Sequence, residues 1–309
     1  MLIFEIFRYV KDRFTKPNLT LTNLVNLTDH HGATGARGDL IGKISIVIPT
    51  RDKPELLKNC IDSVRNTTSD LDIELVVVDN DSVEPETKTF LDELAAQGAV
   101  VLKYPGNFNY SAICNLAASN SSGKYLCFLN NDTEVISPTW LSSMVEHASQ
   151  PSVGLVGAVL LYPDNSLQHM GISLGYAGSI AGHPYRGESA KDIVPGECFE
   201  VSGVTFACAV ISKNKYESLS GLDEVFPVGF NDVDISIRAL DSNFHNVVCT
   251  RAVLTHAESQ SRPKSKSLKG FLTSVRDVIT FLRRYPSRNS DRFFQKGVPV
   301  KEIGQRPNP

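Results

Sequence analysis

Short apolar runs that stop at clusters of Asp, Asn, Ser and Thr constrain the fold of this chain more than any other feature. Three successive runs cover Ile44–Ile48, Glu74–Asp79 and Tyr125–Leu129. Each has the length of a strand and is rich in Val, Ile or Leu, and helical segments separate them. Buried strands that alternate with helices form a mostly parallel sheet covered on both faces. The pattern therefore predicts an α/β fold.

The remaining predicted elements follow from the same reading. Helices are predicted at Pro54–Val64, Glu84–Gln97, Ser111–Ser119 and Trp140–Ser149, with a short strand at Val100–Lys103. Pro54 suits a first helical turn, where its missing N–H costs no hydrogen bond. Further strands are predicted at Val153–Leu161, Val201–Ile211 and Val247–Leu254, with a mobile loop at Gly171–Gly187.

Amphipathic helices are predicted at both ends of the chain. Apolar residues keep helical spacing over residues 1–16 and again from Phe271 to Leu282. Residues 17–42 are polar and include Gly32, Gly35 and Gly38, as expected of a linker. We therefore divide the chain into an N-terminal helix and linker over residues 1–42, an α/β domain over residues 43–260 with halves 43–135 and 136–260, and a helical extension over residues 261–309.

The composition is typical of a water-soluble globular protein, with 41% hydrophobic and 21% charged residues in a chain of 309. No apolar run reaches the roughly 18 residues that a membrane span requires. The N-terminus lacks the order of a secretory signal. The six cysteines include no Cys-x-x-Cys pair. We therefore expect free thiols, a reducing cytoplasm and no structural zinc.

The net charge of −3 conceals an uneven distribution. From Ser261 onward there are twelve Lys and Arg residues against three Asp and Glu residues, a local charge of +9, so the preceding 260 residues carry −12. A basic extension on an acidic body favours an anionic surface, such as phospholipid headgroups or a diphosphate. A solvated helix face explains the same charges.

Four polar clusters that follow apolar runs contain the candidate functional residues. They are Pro49-Thr50-Arg51-Asp52, Asp79-Asn80-Asp81-Ser82, Asn130-Asn131-Asp132 and Asn231-Asp232-Val233-Asp234. A turn explains each cluster taken alone. Because the carboxyl ends of parallel strands lie along one edge of a sheet, the first three clusters should converge there. A carboxylate such as Asp132 is then well placed to hold a divalent metal over a phosphate.

A nucleotide site is indicated by Asn109, Ser111 and Asn115 as well, since they begin a helix at which a phosphate or ribose fits. Asn109 is equally suited to cap that helix. The chain has no Gly-x-Gly-x-x-Gly after the first strand and no Gly-x-x-x-x-Gly-Lys-Ser/Thr anywhere. This argues against a dinucleotide oxidoreductase and a P-loop enzyme, so carboxylates and a metal have to hold any nucleotide.

Seven short segments follow one another in a specific order: Ile46-Val-Ile-Pro-Thr-Arg51, Val77-Val-Asp-Asn-Asp-Ser82, Phe108-Asn-Tyr-Ser-Ala-Ile-Cys-Asn115, Leu129-Asn-Asn-Asp-Thr-Glu-Val135, Gln168-His-Met-Gly171, Gly229-Phe-Asn-Asp-Val-Asp234 and Leu254-Thr-His-Ala-Glu-Ser259. Together they resemble a family 2 glycosyltransferase of the GT-A fold, in particular bacterial enzymes of O-antigen, rhamnan and cell-surface polysaccharide assembly. Each motif is weak alone, but their order and spacing over residues 43–290 are specific. The resemblance implies a Rossmann-like, mostly parallel central sheet flanked by helices.

The resemblance also implies roles for individual residues. Asp79 matches the family position that binds the pyrimidine base, with Thr50 and Asp52 beside it. Asp81, Asn109, Asn115 and Asn131 complete the expected nucleotide-binding set. Asp132, at the end of the Asp-x-Asp-type motif, and His256 are the expected ligands of Mg²⁺ or Mn²⁺. The acidic motif is reduced here, because Asn130 and Asn131 stand where Asp is common.

Asp232 matches the catalytic base of inverting transfer, which removes the proton of the attacking hydroxyl. Capping of the helix that follows is the structural alternative. His183, Asp234 and Arg238 are weaker candidates for contacts with acceptor or sugar, and Asp234 and Arg238 are spaced to pair on one helix face.

The implied reaction moves a sugar from a UDP- or dTDP-sugar to a glycan or polyprenyl-diphosphate-linked glycan. No nucleic-acid partner is expected, and the terminal helices could bring the protein to the cytoplasmic face of the membrane.

Two other classes of protein remain open at this point. A sugar nucleotidyltransferase shares an α/β nucleotide fold and a metal, but it requires a Gly-rich loop after the first strand, where this chain has Pro49-Thr50-Arg51. A non-catalytic glycan-binding relative would be signalled by loss of Asp132 or Asp232, and both residues are present.

Overall fold

The computed structural model describes residues 20–21, 41–175, 180–193, 198–257, 268–286, 291 and 293–295. The helix predicted over residues 1–16 lies outside these residues, as does most of the predicted linker. No described helix is both long and apolar enough to cross a membrane.

Fourteen strands are present in the described residues, and ten of them form one sheet. In chain order the strands are β1 Thr20–Leu21, β2 Ile44–Thr50, β3 Ile73–Asp79, β4 Val100–Lys103, β5 Tyr125–Leu129, β6 Thr133–Val135, β7 Val153–Leu161, β8 Leu167–His169, β9 Ser173–Leu174, β10 Ala181–Gly182, β11 Cys198–Val201, β12 Cys208–Ser212, β13 His245–His256 and β14 Phe294–Gln295. The remaining four form two small antiparallel pairs, β1 with β14 and β9 with β10.

The helices of the described residues are α1 Pro54–Thr67, α2 Pro85–Ala96, α3 Tyr110–Ser119, α4 Trp140–Ala148, α5 Lys213–Ser218, α6 Asn231–Asp241 and α7 Leu268–Arg284. Both α1 and α2 start with proline, as expected at a first helical turn. In α1 the buried residues Leu57, Cys60, Ile61 and Val64 recur at helical spacing, so one face of the helix packs on the sheet.

The central sheet has the strand order β11-β13-β7-β12-β5-β2-β3-β4, with β6 added beside β13 and β8 beside β7. Along this path β2, β3, β4, β5, β7 and β13 run in one direction, and β11 and β12 run in the other. The predicted α/β class with a mostly parallel central sheet is therefore confirmed.

Both faces of the sheet are buried, and the side chains alternate between them. In β5, Leu126 and Phe128 belong to one apolar cluster, whereas Cys127 and Leu129 belong to the other. This alternation is the consequence of a strand period of two residues. All four side chains have no solvent exposure. At about 1.5–3 kcal/mol for burial of a side chain such as Leu126 or Phe128, the two clusters supply most of the drive for folding.

One predicted strand was wrong. The apolar run Val201–Ile211 forms two strands rather than one, because β11 ends at Val201 on the edge of the sheet and β12 starts at Cys208 in its middle. The segment between them crosses against α6, where a Cβ on Gly203 would lie 2.8 Å from the Cβ of Ser236. Val204 and Phe206 are buried in this crossing. The segment is therefore apolar because it is buried, although it does not form a strand.

The predicted C-terminal helix is confirmed as α7, which packs in a third apolar cluster. Phe281 stacks on Phe230, with ring centroids 4.7 Å apart. This cluster lies next to the start of α6. The C-terminal helix is thereby tied to the segment that carries Asp232.

Candidate active site

The polar ends of β2, β3 and β5 converge as the sequence predicts. Thr50 and Asp79 are register partners at the last positions of β2 and β3. Asn131, just beyond β5, donates from Nδ2 to Thr50 Oγ1 at 3.0 Å. All three side chains are buried. The structure therefore joins three of the expected nucleotide-binding residues at one edge of the sheet.

Two loops that follow β2 and β3 interlock beside this edge. Asp52 Oδ1 accepts from the backbone N–H groups of Val83 and Glu84, at 2.7 and 2.9 Å. Asp81 Oδ2 accepts from the N–H of Gly106 at 2.6 Å. Asp52 and Asp81 both have positive φ, 53° and 57°, a conformation that short polar side chains tolerate. The structure thus uses these two carboxylates to shape the rim of the site.

Asp132 and His256 meet because the end of β13 pairs with β6. His256 is the register partner of Thr133, and Ala257 N donates to Asp132 O at 3.0 Å. The His256 Nε2 atom lies 3.1 Å from Asp132 Oδ1. Both side chains are largely buried, with exposed fractions of 10% and 3%. Two residues separated by more than a hundred positions thus form a close pair, as the sequence analysis expected.

Gln168 determines which nitrogen of His256 carries the proton when the ring is neutral. Its amide nitrogen donates to the backbone oxygen of His256 at 3.0 Å, which turns its amide oxygen toward the ring, 2.6 Å from His256 Nδ1. Because an amide oxygen only accepts hydrogen bonds, Nδ1 carries the proton of the neutral ring. The lone pair of Nε2 then faces Asp132. Such support of a histidine by a second residue is the usual arrangement at metal sites.

A pair of histidines, His169 and His183, adjoins the Asp132–His256 pair. His169 Nδ1 lies 2.8 Å from His183 Nδ1, and His169 Nε2 accepts from the N–H groups of Gly171 and Thr205, each at 3.3 Å. Burial holds the pKa of His169 well below its usual value of 6.5, with His183, His256 and Arg186 adding to the effect. His169 is therefore neutral, and its contact with His183 joins that residue to the strand that carries Gln168.

Asp232 lies in the first turn of α6 and is partly exposed. The capping position belongs to Phe230, with φ 64°, so Asp232 is a first-turn acid favoured by the helix dipole. Ser236, one turn later, accepts at Oγ from Val204 N at 3.4 Å. The next residue, Thr205, contacts His169. Two consecutive residues thus connect the helix of Asp232 to the histidines beside Asp132.

Asp234 and Arg238 form the predicted pair, with Arg238 Nε 2.8 Å from Asp234 Oδ2. Asp234 has no solvent exposure, and its Oδ1 accepts from Arg284 Nη1 at 2.9 Å and from the Tyr285 hydroxyl at 2.7 Å. These contacts tie α6 to α7. The acceptor role that the sequence suggested for Asp234 and Arg238 stays a prediction.

Asn109 and Asn115 are engaged with the segment that precedes α6. Asn109 caps α3 by accepting from Ala112 N at 3.2 Å, and its amide nitrogen donates to Glu224 O at 3.0 Å. Asn115 donates to Leu222 O at 2.8 Å and accepts from the Tyr216 hydroxyl at 2.7 Å. The capping alternative is therefore confirmed for Asn109. Nucleotide binding by either residue stays a prediction.

The sequence suggested no individual role for Gln168 and His169, which the structure places beside His256. Gln168 and His169 lie in the short motif Gln168-His-Met-Gly171. Their roles depend on the pairing of β8 with β7 and on contacts with β13, which local spacing does not reveal.

These observations define an α/β protein whose polar site, with a buried carboxylate–histidine pair, lies at one edge of a mostly parallel sheet. The chain matches the model of the family Glycosyl transferase family 2 over residues 45–218. The match covers more than half of the sequence, and the chain belongs to this family.

Two curated relatives share parts of the chain. The O-antigen biosynthesis protein RfbC of Myxococcus xanthus is 40% identical over 226 residues, which are 71% of this chain and 18% of that protein. The GalNAc(5)-diNAcBac-PP-undecaprenol beta-1,3-glucosyltransferase of Campylobacter jejuni is 29% identical over 129 residues, 40% of each protein. The chain thus spans less than half the length of either relative.

A solved structure shows the same architecture. The crystal structure of GalNAc-T7 with UDP, GalNAc and Mn²⁺ superposes with a TM-score of 0.57 at 14% identity, over 70% of this chain and 44% of that one. At this identity the likeness concerns the fold alone. It confirms the expected GT-A fold.

Proposed function

We propose that the protein is a metal-dependent, inverting glycosyltransferase that acts on a UDP- or dTDP-sugar. The observation that carries the proposal is the Asp132–His256 pair at the sheet edge, next to the converging residues Thr50, Asp79 and Asn131. A base and ribose held by Asp79 and Thr50 would place the diphosphate over Asp132, because the strand ends lie side by side.

The Asp132–His256 pair fits a divalent cation. Neighbouring ligands of an octahedral ion with bonds of about 2.1 Å lie about 3.0 Å apart, and Asp132 Oδ1 lies 3.1 Å from His256 Nε2. The unprotonated Nε2 and one carboxylate oxygen would hold Mg²⁺ or Mn²⁺, and diphosphate oxygens would supply further ligands. When bound, the ion neutralises negative charge on the departing diphosphate.

Asp232 is our candidate for the general base. Its carboxylate takes the proton of the acceptor hydroxyl as that oxygen attacks the anomeric carbon from the side opposite the diphosphate, so the configuration inverts. His183, held by His169, would contact the sugar or the acceptor.

The acceptor we propose is a glycan or a polyprenyl-diphosphate-linked glycan in surface polysaccharide assembly. The similarity to an O-antigen biosynthesis protein and to a glucosyltransferase whose printed name contains a PP-undecaprenol glycan supports this class. The charge of +9 from Ser261 onward suits an anionic acceptor or membrane surface on the cytoplasmic side.

A screen of nucleotide sugars tests this function. We expect a UDP- or dTDP-sugar to raise the Tm of the purified chain in the presence of Mn²⁺, and the same donor to give a glycosylated product with a lipid-linked glycan acceptor. The anomeric configuration of the product should be opposite to that of the donor. Formation of a nucleotide sugar from a sugar phosphate would instead indicate a nucleotidyltransferase, and binding without any turnover would indicate a non-catalytic relative.

A further inference from the structure

A second group of metal-binding side chains lies outside the candidate active site. Cys198 on β11 and Cys249 on β13 are direct cross-strand partners. His147 reaches them from the last turn of α4. One nitrogen of His147 and the two sulfur atoms all lie within 4.8 Å of one another. Three separate elements thus bring two thiols and an imidazole to one point.

This cluster is distinct from the Asp132–His256 pair. The register of β13 shifts between Cys249 and Val253, so that Cys249 lies opposite Ala158 of β7 and Thr255 lies opposite Leu161. About four strand positions, roughly 13 Å, therefore separate Cys249 from His256 along the sheet. The cluster adjoins β11, the terminal strand in the order of the central sheet, and an ion bound there would have neither Asp132 nor His256 as a ligand.

The spacing and chemistry of the three groups suit a thiophilic cation. Ligand atoms around a tetrahedral zinc ion lie roughly 3.5–3.8 Å apart, given bonds of about 2.0–2.3 Å. Zinc prefers thiolate and imidazole ligands, whereas Mg²⁺ and Mn²⁺ prefer oxygen. Cys249 is buried, and Cys198 and His147 are partly exposed, so an ion can enter from solvent.

One further observation points to an ion at the cluster. Within the described part of the chain, His147 Nδ1 is buried and has no hydrogen-bond partner, which is costly unless something binds there.

We propose that His147, Cys198 and Cys249 form a zinc site, with water in the fourth position. The ion would fasten the terminal strand β11 to β13 and to α4, and so stabilise the side of the sheet that carries the crossing into β12. The absence of a Cys-x-x-Cys pair from the sequence predicted no structural zinc. The cross-strand register supplies the proximity that sequence spacing lacks.

Cobalt titration tests the site, because a thiolate bound to Co²⁺ absorbs in the near ultraviolet and carboxylate or imidazole ligands alone do not. The titration uses the reduced full chain with Asp132→Asn, which disables the candidate active-site metal pair. We expect about one Co²⁺ per chain with a thiolate band, and loss of the band when Zn²⁺ is added.

Single cysteine variants in the same background locate the ligands. Cys198→Ala and Cys249→Ala should each lose the band, and Cys198→Ala, at a partly exposed position, is the variant least prone to misfolding. Cys114→Ala removes a buried thiol elsewhere and should keep it. Circular dichroism confirms the fold of each variant. Absence of the band in the reduced protein, or an unchanged band in the folded Cys198→Ala variant, would overturn the proposal.

Discussion

The residues of the candidate site differ in how clearly the sequence predicts them. Asp132 and His256 are predictable because each follows an apolar run and falls in a recognisable motif. Gln168 is not, because a glutamine in a short strand has no distinctive local pattern. Its importance arises from two hydrogen bonds to His256, at 2.6 and 3.0 Å, and these exist only once β8 and β13 are in place.

Replacement of the candidate base gives the sharpest test at this scale. Asp232→Asn should lower transfer by about 10²–10⁴-fold, because the amide cannot accept the proton of the acceptor hydroxyl. Donor binding should remain, since Asp232 is assigned no nucleotide contact. The exposed Asp241, at the other end of α6, offers the matched control Asp241→Asn. Turnover within a few-fold of the unmodified protein would remove Asp232 from the mechanism.

Gln168 tests whether the histidine is held as a metal ligand. Gln168→Met keeps the volume but removes the acceptor for Nδ1–H, so the affinity for Mn²⁺ should fall by about 10–100-fold. Gln168→Glu keeps an acceptor oxygen and should retain most of the affinity. Titration calorimetry with Mn²⁺ measures both variants. Equal affinity of Gln168→Met and the unmodified protein would show that Gln168 serves packing alone.

At the scale of elements, α7 is secured by one buried carboxylate. Asp234 binds Arg238, Arg284 and Tyr285 and has no exposure. Asp234→Asn should therefore cost about 3 kcal/mol of unfolding free energy, at the low end of the range for a buried ion pair because both arginines keep contact with solvent. Urea denaturation measures this loss.

The other partner of Arg284 provides the control for that measurement. Asp223 lies 2.6 Å from Arg284 Nη1, but its side chain is 34% exposed. Asp223→Asn should cost no more than about 1 kcal/mol, as is usual for exposed pairs. Equal losses for the two variants would contradict the view that burial of Asp234 is what secures α7.

The predicted strands and helices match the structure where the apolar residues recur with the period of one single element. The strands β2, β3, β5 and β7 and the helices between them lie close to their predicted positions. The prediction of one strand over Val201–Ile211 was wrong, because the segment between β11 and β12 is apolar through burial and not through strand pairing. A continuous apolar run reports that a segment is buried and does not report which layer buries it.

At the scale of the whole molecule, the sequence determines the sheet more clearly than the site. Buried strands and amphipathic helices alternate along the first half, and few topologies satisfy that order. The second half contributes His256, Gln168, His169 and Asp232, and it reaches the site through antiparallel additions whose register depends on distant partners. The cluster of His147, Cys198 and Cys249 was not predictable for the same reason, because it depends on the register of distant strands.

The metal dependence of nucleotide binding is the most direct test of a metal-dependent transferase, because it requires neither the sugar nor the acceptor to be known. Titration calorimetry would compare UDP and dTDP binding in Mn²⁺ and in EDTA, for the unmodified chain and for Asp132→Asn. We expect at least about tenfold tighter binding in Mn²⁺ than in EDTA, and no such gain for Asp132→Asn. Equal affinity in Mn²⁺ and in EDTA for the unmodified chain would contradict this expectation.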